Sequence, residues 1–235
     1  MPQAVITIIY DNRTADEKLW AGWGFSALIE FQNKRILFDT GADKIVLEHN
    51  ADTLGIDLAT TDALFLSHEH CDHIGAISSA LHSGLEVIYP ASFSPGFKQR
   101  IEEAHASPRP IASPTELSPG INTTGEMGRE IKEHSLIIAC EQGPFLITGC
   151  AHPGIVNIAR KATELTGRPL SLIIGGFHLG AKQDAEVRRI ADGLKGLDIE
   201  RVAPCHCTGE KAIGILEEEF GEGYLKTEAG SKIEC

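Results

Sequence analysis

Nowhere in the sequence does an apolar run approach the ~18 residues needed to cross a bilayer, which argues against a membrane protein. A basic surplus is missing too. Lysine and arginine number 21 against 33 aspartates and glutamates, for a formal charge of -12. Nucleic acid and anionic membrane both reward basic patches, so neither is expected as a partner. A small anionic substrate stays open, because a bound metal inverts the local field. Met1-Pro2-Gln3 carries no basic region leading into a signal-peptide core. The six cysteines, Cys71, Cys140, Cys150, Cys205, Cys207 and Cys235, are scattered in a long chain, several near histidines. That pattern does not suit a disulfide scaffold, and a reducing cytoplasm is expected. No sequence repeat is evident, and nothing signals an oligomeric state.

What remains is an ordinary globular composition, 42% apolar and 23% charged, long enough at 235 residues to bury one core. We expect one domain over residues 1–235. Its most informative stretch is Leu64-Phe65-Leu66-Ser67-His68-Glu69-His70-Cys71-Asp72-His73-Ile74-Gly75. Three histidines and two carboxylates fall within six residues, directly after an apolar run that reads as a buried strand. Side chains displayed beyond a rigid strand end can converge on one point. Neutral imidazole with carboxylate suits zinc, iron or manganese. A solvated polar turn is a poor alternative for the spacing His-x-His-x-Asp-His.

The other elements frame that motif. Ala4–Tyr10 reads as a strand and Asp11–Gly24 as a loop that either covers a pocket or is anchored by burial of Trp20 and Trp23. Phe25–Phe31 and Arg35–Phe38 read as a hairpin ending in Asp39-Thr40-Gly41. Asp39 either caps the helix expected near Asp43–Leu54 or lies beneath the metal site and orients its ligands. Ile74–His82 has the period of a short helix. Glu86–Tyr89 reads as a strand, Ser94–Ala104 as a helix, and Ser107–Gly128 as short strands and turns. A second hairpin, His134–Cys140 with Pro144–Thr148, ends in Gly149-Cys150-Ala151-His152-Pro153-Gly154. Helix Ile155–Leu165 follows. Strand Leu170–Ile174 ends in Gly175-Gly176-Phe177-His178, before a helix near Asp184–Leu194. Strand Arg201–Ala203 ends in Pro204-Cys205-His206-Cys207-Thr208-Gly209, before helix Glu210–Phe220. Four strands thus finish in a histidine-bearing turn, and in α/β proteins such ends gather on one face. Hairpins alternating with strand–helix units suggest mixed sheets with helices outside.

The His68-x-His70-x-Asp72-His73 pattern, with Asp39-Thr40-Gly41 before it and single histidines after it, resembles the metallo-β-lactamase superfamily over almost the whole chain. Gly149–Ile155, Gly175–Leu179 and His206–Gly209 look like one subgroup. Its members are metal-dependent hydrolases similar to the archaeal 7,8-dihydropterin-6-methyl-4-(β-D-ribofuranosyl)aminobenzene-5'-phosphate synthase. The resemblance implies an α/β protein with the αββα sandwich architecture and two divalent metals, zinc first with manganese or iron as alternatives. It implies that His68 and His70, with a third histidine, hold one metal. Asp72, His73 and His206 hold the other, and a hydroxide between them attacks an electrophilic carbon or phosphorus. Asp72 would also orient that hydroxide, with Asp39 beneath the ligands.

Two departures stand out. Cys150 occupies the strand end where a bridging Asp is usual, and a thiolate can also ligate zinc. The third histidine is either His134 or His152, with His152 favoured because it lies in the subgroup's motif. His178 is open to several roles, an extra ligand, a substrate contact, a general acid or a structural histidine bonded to neighbouring backbone, and is grouped with Asp72 as catalytic. His49, His82 and His105 are expected at the surface, Cys71 buried, and Cys205 and Cys207 packed away from His206. The resulting expectation is a cytoplasmic metal-dependent hydrolase acting on an ester-like small molecule: a phosphate ester, lactone or pterin-linked compound. The alternatives are a mononuclear iron enzyme using oxygen on a sulfur substrate, and a metal-binding module without turnover.

Overall fold

The structure is a computed structural model describing residues 3–14 and 16–235. Met1 and Pro2, on which the N-terminal reading falls, lie outside the described residues, as does Ala15 of the first loop. The chain forms two compact units, one reaching to Ala112 and including Glu228–Cys235, the other Ser113–Thr227.

Among the described residues, the first unit holds a seven-stranded mixed sheet. Strands β1 (Ala4–Tyr10), β2 (Ser26–Phe31) and β3 (Lys34–Phe38) form an antiparallel meander. Strands β4 (Ala63–Phe65), β5 (Glu86–Pro90) and β6 (Ser107–Ile111) then add in parallel beside β3. Helices α1 (Lys44–Thr53), α2 (Cys71–Ile74) and α3 (Pro95–Glu103) fill the crossovers. A C-terminal strand closes the far edge against β1. The sheet residues Leu28, Leu37, Leu64, Val87 and Tyr89 pack in one apolar cluster with Leu47 and Ala51 of α1 and Phe97 and Ile101 of α3. Their alternates Ile29, Phe38, Phe65 and Ile88 are buried as well. Burial on both faces explains why these strands read as continuous apolar runs.

The Asp43 side chain, not Asp39, caps α1 by accepting from the Ile45 N–H. The helix expected over Ile74–His82 is instead the single turn α2 followed by a 3-10 turn at Ile77–Ser79. At the break the Ala76 N–H donates to the Gly41 carbonyl at 3.2 Å instead of continuing the helical ladder. A Cβ at Gly75 would lie 2.2 Å from the Ala42 carbonyl oxygen, so the chain passes that loop only as glycine. The turn also corrects the expected burial of Cys71. Opening a helical turn, Cys71 points outward and is exposed, while His73 is fully buried.

The second unit holds a six-stranded mixed sheet. Strands β7 (Thr115–Ser118), β8 (Ile121–Thr123), β9 (Leu136–Cys140) and β10 (Gly143–Thr148) are antiparallel neighbours. Strands β11 (Leu172–Gly176) and β12 (Val202–Cys205) join β10 in parallel. Helices α4 (Ile155–Thr166), α5 (Asp184–Lys195) and α6 (Glu210–Phe220) pack through Ile158, Ala162, Val187, Ala191 and Leu216 against Leu146, Ile173 and Val202 of the sheet. The remaining strand, β13 (Lys232–Glu234), is the edge strand of the first unit.

Candidate metal centre

In the first unit the site grows from two neighbouring parallel strands. Phe38 pairs with Phe65, so Asp39 and Ser67 emerge side by side from the ends of β3 and β4. Asp39 is fully buried, with φ 52. Its Oδ1 accepts from Ser67 N at 2.7 Å, and its Oδ2 accepts from Ser67 Oγ at 2.7 Å. The same Oδ2 meets His73 Nδ1 at 2.7 Å. A carboxylate offers only acceptors, so that ring nitrogen carries the proton and the lone pair lies on Nε2. A second relay follows from the first. Ser67 Oγ spends its proton on Asp39, so at 2.9 Å it accepts from His68 Nδ1. That also puts the His68 lone pair on Nε2, which lies 3.1 Å from His70 Nδ1.

Two imidazoles on one zinc, with bonds of 2.0–2.1 Å, stand about 2.9 Å apart at a right angle and about 3.4 Å apart in a tetrahedron. The observed spacing lies between those limits, so the donor set fits a metal. Asp72 is held by Trp23 and faces His73. Its Oδ2 accepts from Trp23 Nε1 at 3.0 Å and lies 3.7 Å from His73 Nε2. Trp20 and Trp23 are 46% and 62% exposed, so burial does not anchor their loop. Glu69, the other carboxylate of the motif, is engaged elsewhere: it accepts from Ser94 N and Ser94 Oγ at the start of α3. Of the outlying histidines, His49 and His82 are half-buried rather than surface-exposed, His49 stacked on Trp20 with ring centroids 3.9 Å apart.

In the second unit the organising group is Glu133, which sequence reasoning missed. Its carboxylate is buried and accepts from Thr148 Oγ1 at 3.1 Å and from Cys150 N, Ala151 N and His152 N at 2.9 Å each. The turn after β10 is thus wrapped around one carboxylate. His152 Nδ1 also meets Glu133 at 2.9 Å, which again puts the ring lone pair on Nε2. His134 differs. It is buried at the foot of β9 with Nδ1 3.0 Å from Thr123 Oγ1, and it joins no ligand-like cluster among the described residues.

Cys150 is the hub of this half. Donor atoms of His152, His178, His206 and Cys207 each lie within 4.8 Å of its own. Cys207 does not point away, because the segment is not extended. His206 takes φ 48 and begins a 3-10 turn at His206–Thr208. The Cys207 thiol is pushed down to about 5, first by its hydrogen bond with Cys150, then by one with His178, against the opposing effect of burial. His178 is raised correspondingly, chiefly by its bond to Cys207. Cys205, in contrast, is buried in the strand as expected. Asp39, Ala151, His178 and His206 all hold φ between 48° and 56°. Each conformation costs a non-glycine about 1 kcal/mol, and here all four sit at strand ends that carry candidate ligands or a carboxylate that orients them.

A family model described as the metallo-beta-lactamase superfamily matches residues 22–206. The chain belongs to that superfamily. It is 29% identical to the 7,8-dihydropterin-6-methyl-4-(beta-D-ribofuranosyl)-aminobenzene-5'-phosphate synthase of Methanocaldococcus jannaschii, over 97% of this chain and 95% of that protein. An uncharacterized protein of the same organism is 32% identical over 91% of this chain and 94% of its own length. Among solved structures, a metal-dependent hydrolase of the β-lactamase superfamily superposes with a TM-score of 0.83 at 27% identity, covering 98% of both chains. The expected fold class therefore holds: α/β, two mixed sheets with helices, of the metallo-β-lactamase type. Metal binding is a property of this fold, and both units carry ligand-like groups. Among the described residues, no helix is long and apolar enough to cross a membrane.

Proposed function

We propose that the chain is a metal-dependent hydrolase of ester-like small molecules. Its ligands would be His68, His70, Asp72, His73, His152 and His206, holding two divalent ions, with zinc first and manganese or iron as alternatives. The family model runs through both units, which supports reading residues 1–235 as one domain. The observation that carries the proposal is the pair of buried carboxylates. Asp39 and Glu133 independently orient three of the five rings with the lone pair on Nε2. Such outer partners raise ligand basicity and fix ring direction.

When bound, divalent metal lowers the pKa of a coordinated water and polarises the bond to be cleaved. The chain's own residues do the rest. Asp72, with Trp23 donating to its Oδ2, has a fixed carboxylate edge with which to orient the attacking water. His178 stands at the site with its ring 4.6 Å from that of His152. Phosphate esters, lactones and pterin-linked esters are the substrate classes, and a small molecule suits the acidic chain better than nucleic acid or membrane. Cytoplasm is the proposed location, supported by the absence of any disulfide among the described residues.

The test is a panel of phosphomonoester, phosphodiester, lactone and thioester substrates, each supplied with zinc or manganese. Turnover of at least one, abolished by chelation and lowered at least about 100-fold by His68→Ala and Asp72→Ala, is expected. Activity that both variants retain, or none on any substrate, refutes the proposal. The name of the M. jannaschii relative favours a second reading, in which the same residues serve synthesis of a pterin-linked phosphate. A dihydropterin product formed in the absence of ester cleavage would support it.

A further inference from the structure

Three motifs carry groups that the six ligands above do not include: Cys150, His178 and Cys207. They follow β10, β11 and β12, three adjacent parallel strands, and so leave the sheet as neighbours. One donor atom of each lies within 4.8 Å of the other two. The geometry points to an additional, thiolate-rich metal site on Cys150, Cys207 and His178, with zinc or another thiophilic divalent ion as its occupant; it adjoins the ligands above through Cys150, whose donor also lies within 4.8 Å of those of His152 and His206.

The donor chemistry is that of a zinc site with two thiolates, one imidazole and an open fourth position. Zinc–sulfur bonds near 2.3 Å place two tetrahedral sulfurs about 3.8 Å apart, and a sulfur and a nitrogen about 3.6 Å apart. The three donors therefore need to close by roughly 1 Å at most, within reach of a side-chain rotation. Room for the sulfur is built into the backbone. A Cβ at Gly176 would stand 2.6 Å from Cys207 Sγ and 2.5 Å from the Gly149 carbonyl oxygen. Only glycine at that strand end lets the thiol turn inward.

The turns that carry His178 and Cys207 are also clamped together. Thr208 Oγ1 accepts from Phe177 N at 3.0 Å and donates to the Cys205 carbonyl at 2.7 Å. His178 keeps φ 53 inside that clamp. Access exists as well. Cys150 is buried and Cys207 half-buried, but His178 is exposed and lines a cavity of about 650 Å³ with Met127, Arg129, His152, Pro153 and Asn157. An ion could enter there, and the open position would face that cavity.

This site does not depend on the hydrolase reading, and its test does not use turnover. Metal-free full-length protein is titrated with cobalt(II), whose bonds to thiolate absorb in the near ultraviolet. The wild type should show that band. Cys207→Ser should reduce it to about half, since one of two thiolates is lost, and the Cys150→Ser/Cys207→Ser pair should abolish it. His178→Ala, at an exposed position that does not threaten folding, should weaken cobalt binding by more than the ~10–100-fold typical of losing an outer partner. His68→Ala/His70→Ala should keep the band and at least one ion per chain. Three results overturn the assignment: no band in the wild type, a band and affinity unchanged in Cys207→Ser and His178→Ala, or loss of the band in His68→Ala/His70→Ala. Failure of the ester panel alone would leave these spectra as expected.

Discussion

Replacing Asp39 by asparagine should disable two histidines at once while leaving the shape of the core intact. Asp39 is fully buried and accepts three hydrogen bonds of 2.7 Å, from Ser67 N, Ser67 Oγ and His73 Nδ1. An amide of the same size keeps one acceptor and turns the other into a donor. With its oxygen toward Ser67 N, its NH2 group faces the Ser67 hydroxyl and the His73 ring. His73 Nδ1 must then accept, so its proton moves to Nε2. Ser67 Oγ must also accept, and it turns its own proton onto His68 Nδ1. Both rings would present N–H where a lone pair is needed.

Exchanging two charge-assisted bonds for weaker, reversed ones in a buried setting should cost about 3–5 kcal/mol. Denaturant unfolding of the metal-free protein measures that cost. Metal affinity, read by competition with a chromophoric chelator, should fall ~10–100-fold. Ser67→Ala is the control. It removes only the His68 relay, so it should cost about 1–2 kcal/mol and leave the His73 bond in place. If Asp39→Asn lies within 1 kcal/mol of wild type and binds metal equally well, the relay argument is wrong.

Glu133→Gln should lose about 2–4 kcal/mol in denaturant unfolding, because five donors converge on a carboxylate that then offers one acceptor oxygen; a change under 1 kcal/mol would contradict the wrapped turn. His152→Ala should weaken metal binding by isothermal titration, whereas His134→Ala should leave the ion count unchanged and lower only stability; the reverse pattern would make His134 the ligand. Trp23→Phe removes the donor to Asp72 from an exposed side chain, so melting temperature should barely move while turnover on any substrate found falls several-fold. Equal turnover would mean that Asp72 does not need that partner.

The strands and helices were legible because their signals are local: apolar runs, caps and turn residues within ten positions of each other. The His68–His73 cluster was legible for the same reason, since its residues emerge from one strand end. The elements misread were set by contacts distant in sequence. The helix expected at Ile74–His82 breaks where the Ala76 N–H donates to Gly41, more than thirty residues earlier. Cys207 turns inward because the chain adopts a tight turn at His206 and because Gly176 leaves room for its sulfur. Glu133 gave no signal at all. It sits in the polar run Arg129-Glu130-Ile131-Lys132-Glu133, which reads as solvent-facing, and its donors lie at Thr148–His152.

Asp39 and Glu133 nevertheless do the same job by the same physics. Each is a buried carboxylate that accepts one or more backbone N–H groups from the turn after a strand, and each also accepts a hydrogen bond from the Nδ1–H of a histidine in or just beyond that turn. A carboxylate removed from water needs several donors, and a strand-end turn offers unpaired N–H groups, so the two requirements satisfy each other. The histidine held in that arrangement has its proton fixed away from the site before any metal arrives. That shared construction explains why the turns can hold strained φ values at Asp39 and Ala151. The bonds to the carboxylate outweigh the roughly 1 kcal/mol that each left-handed residue costs.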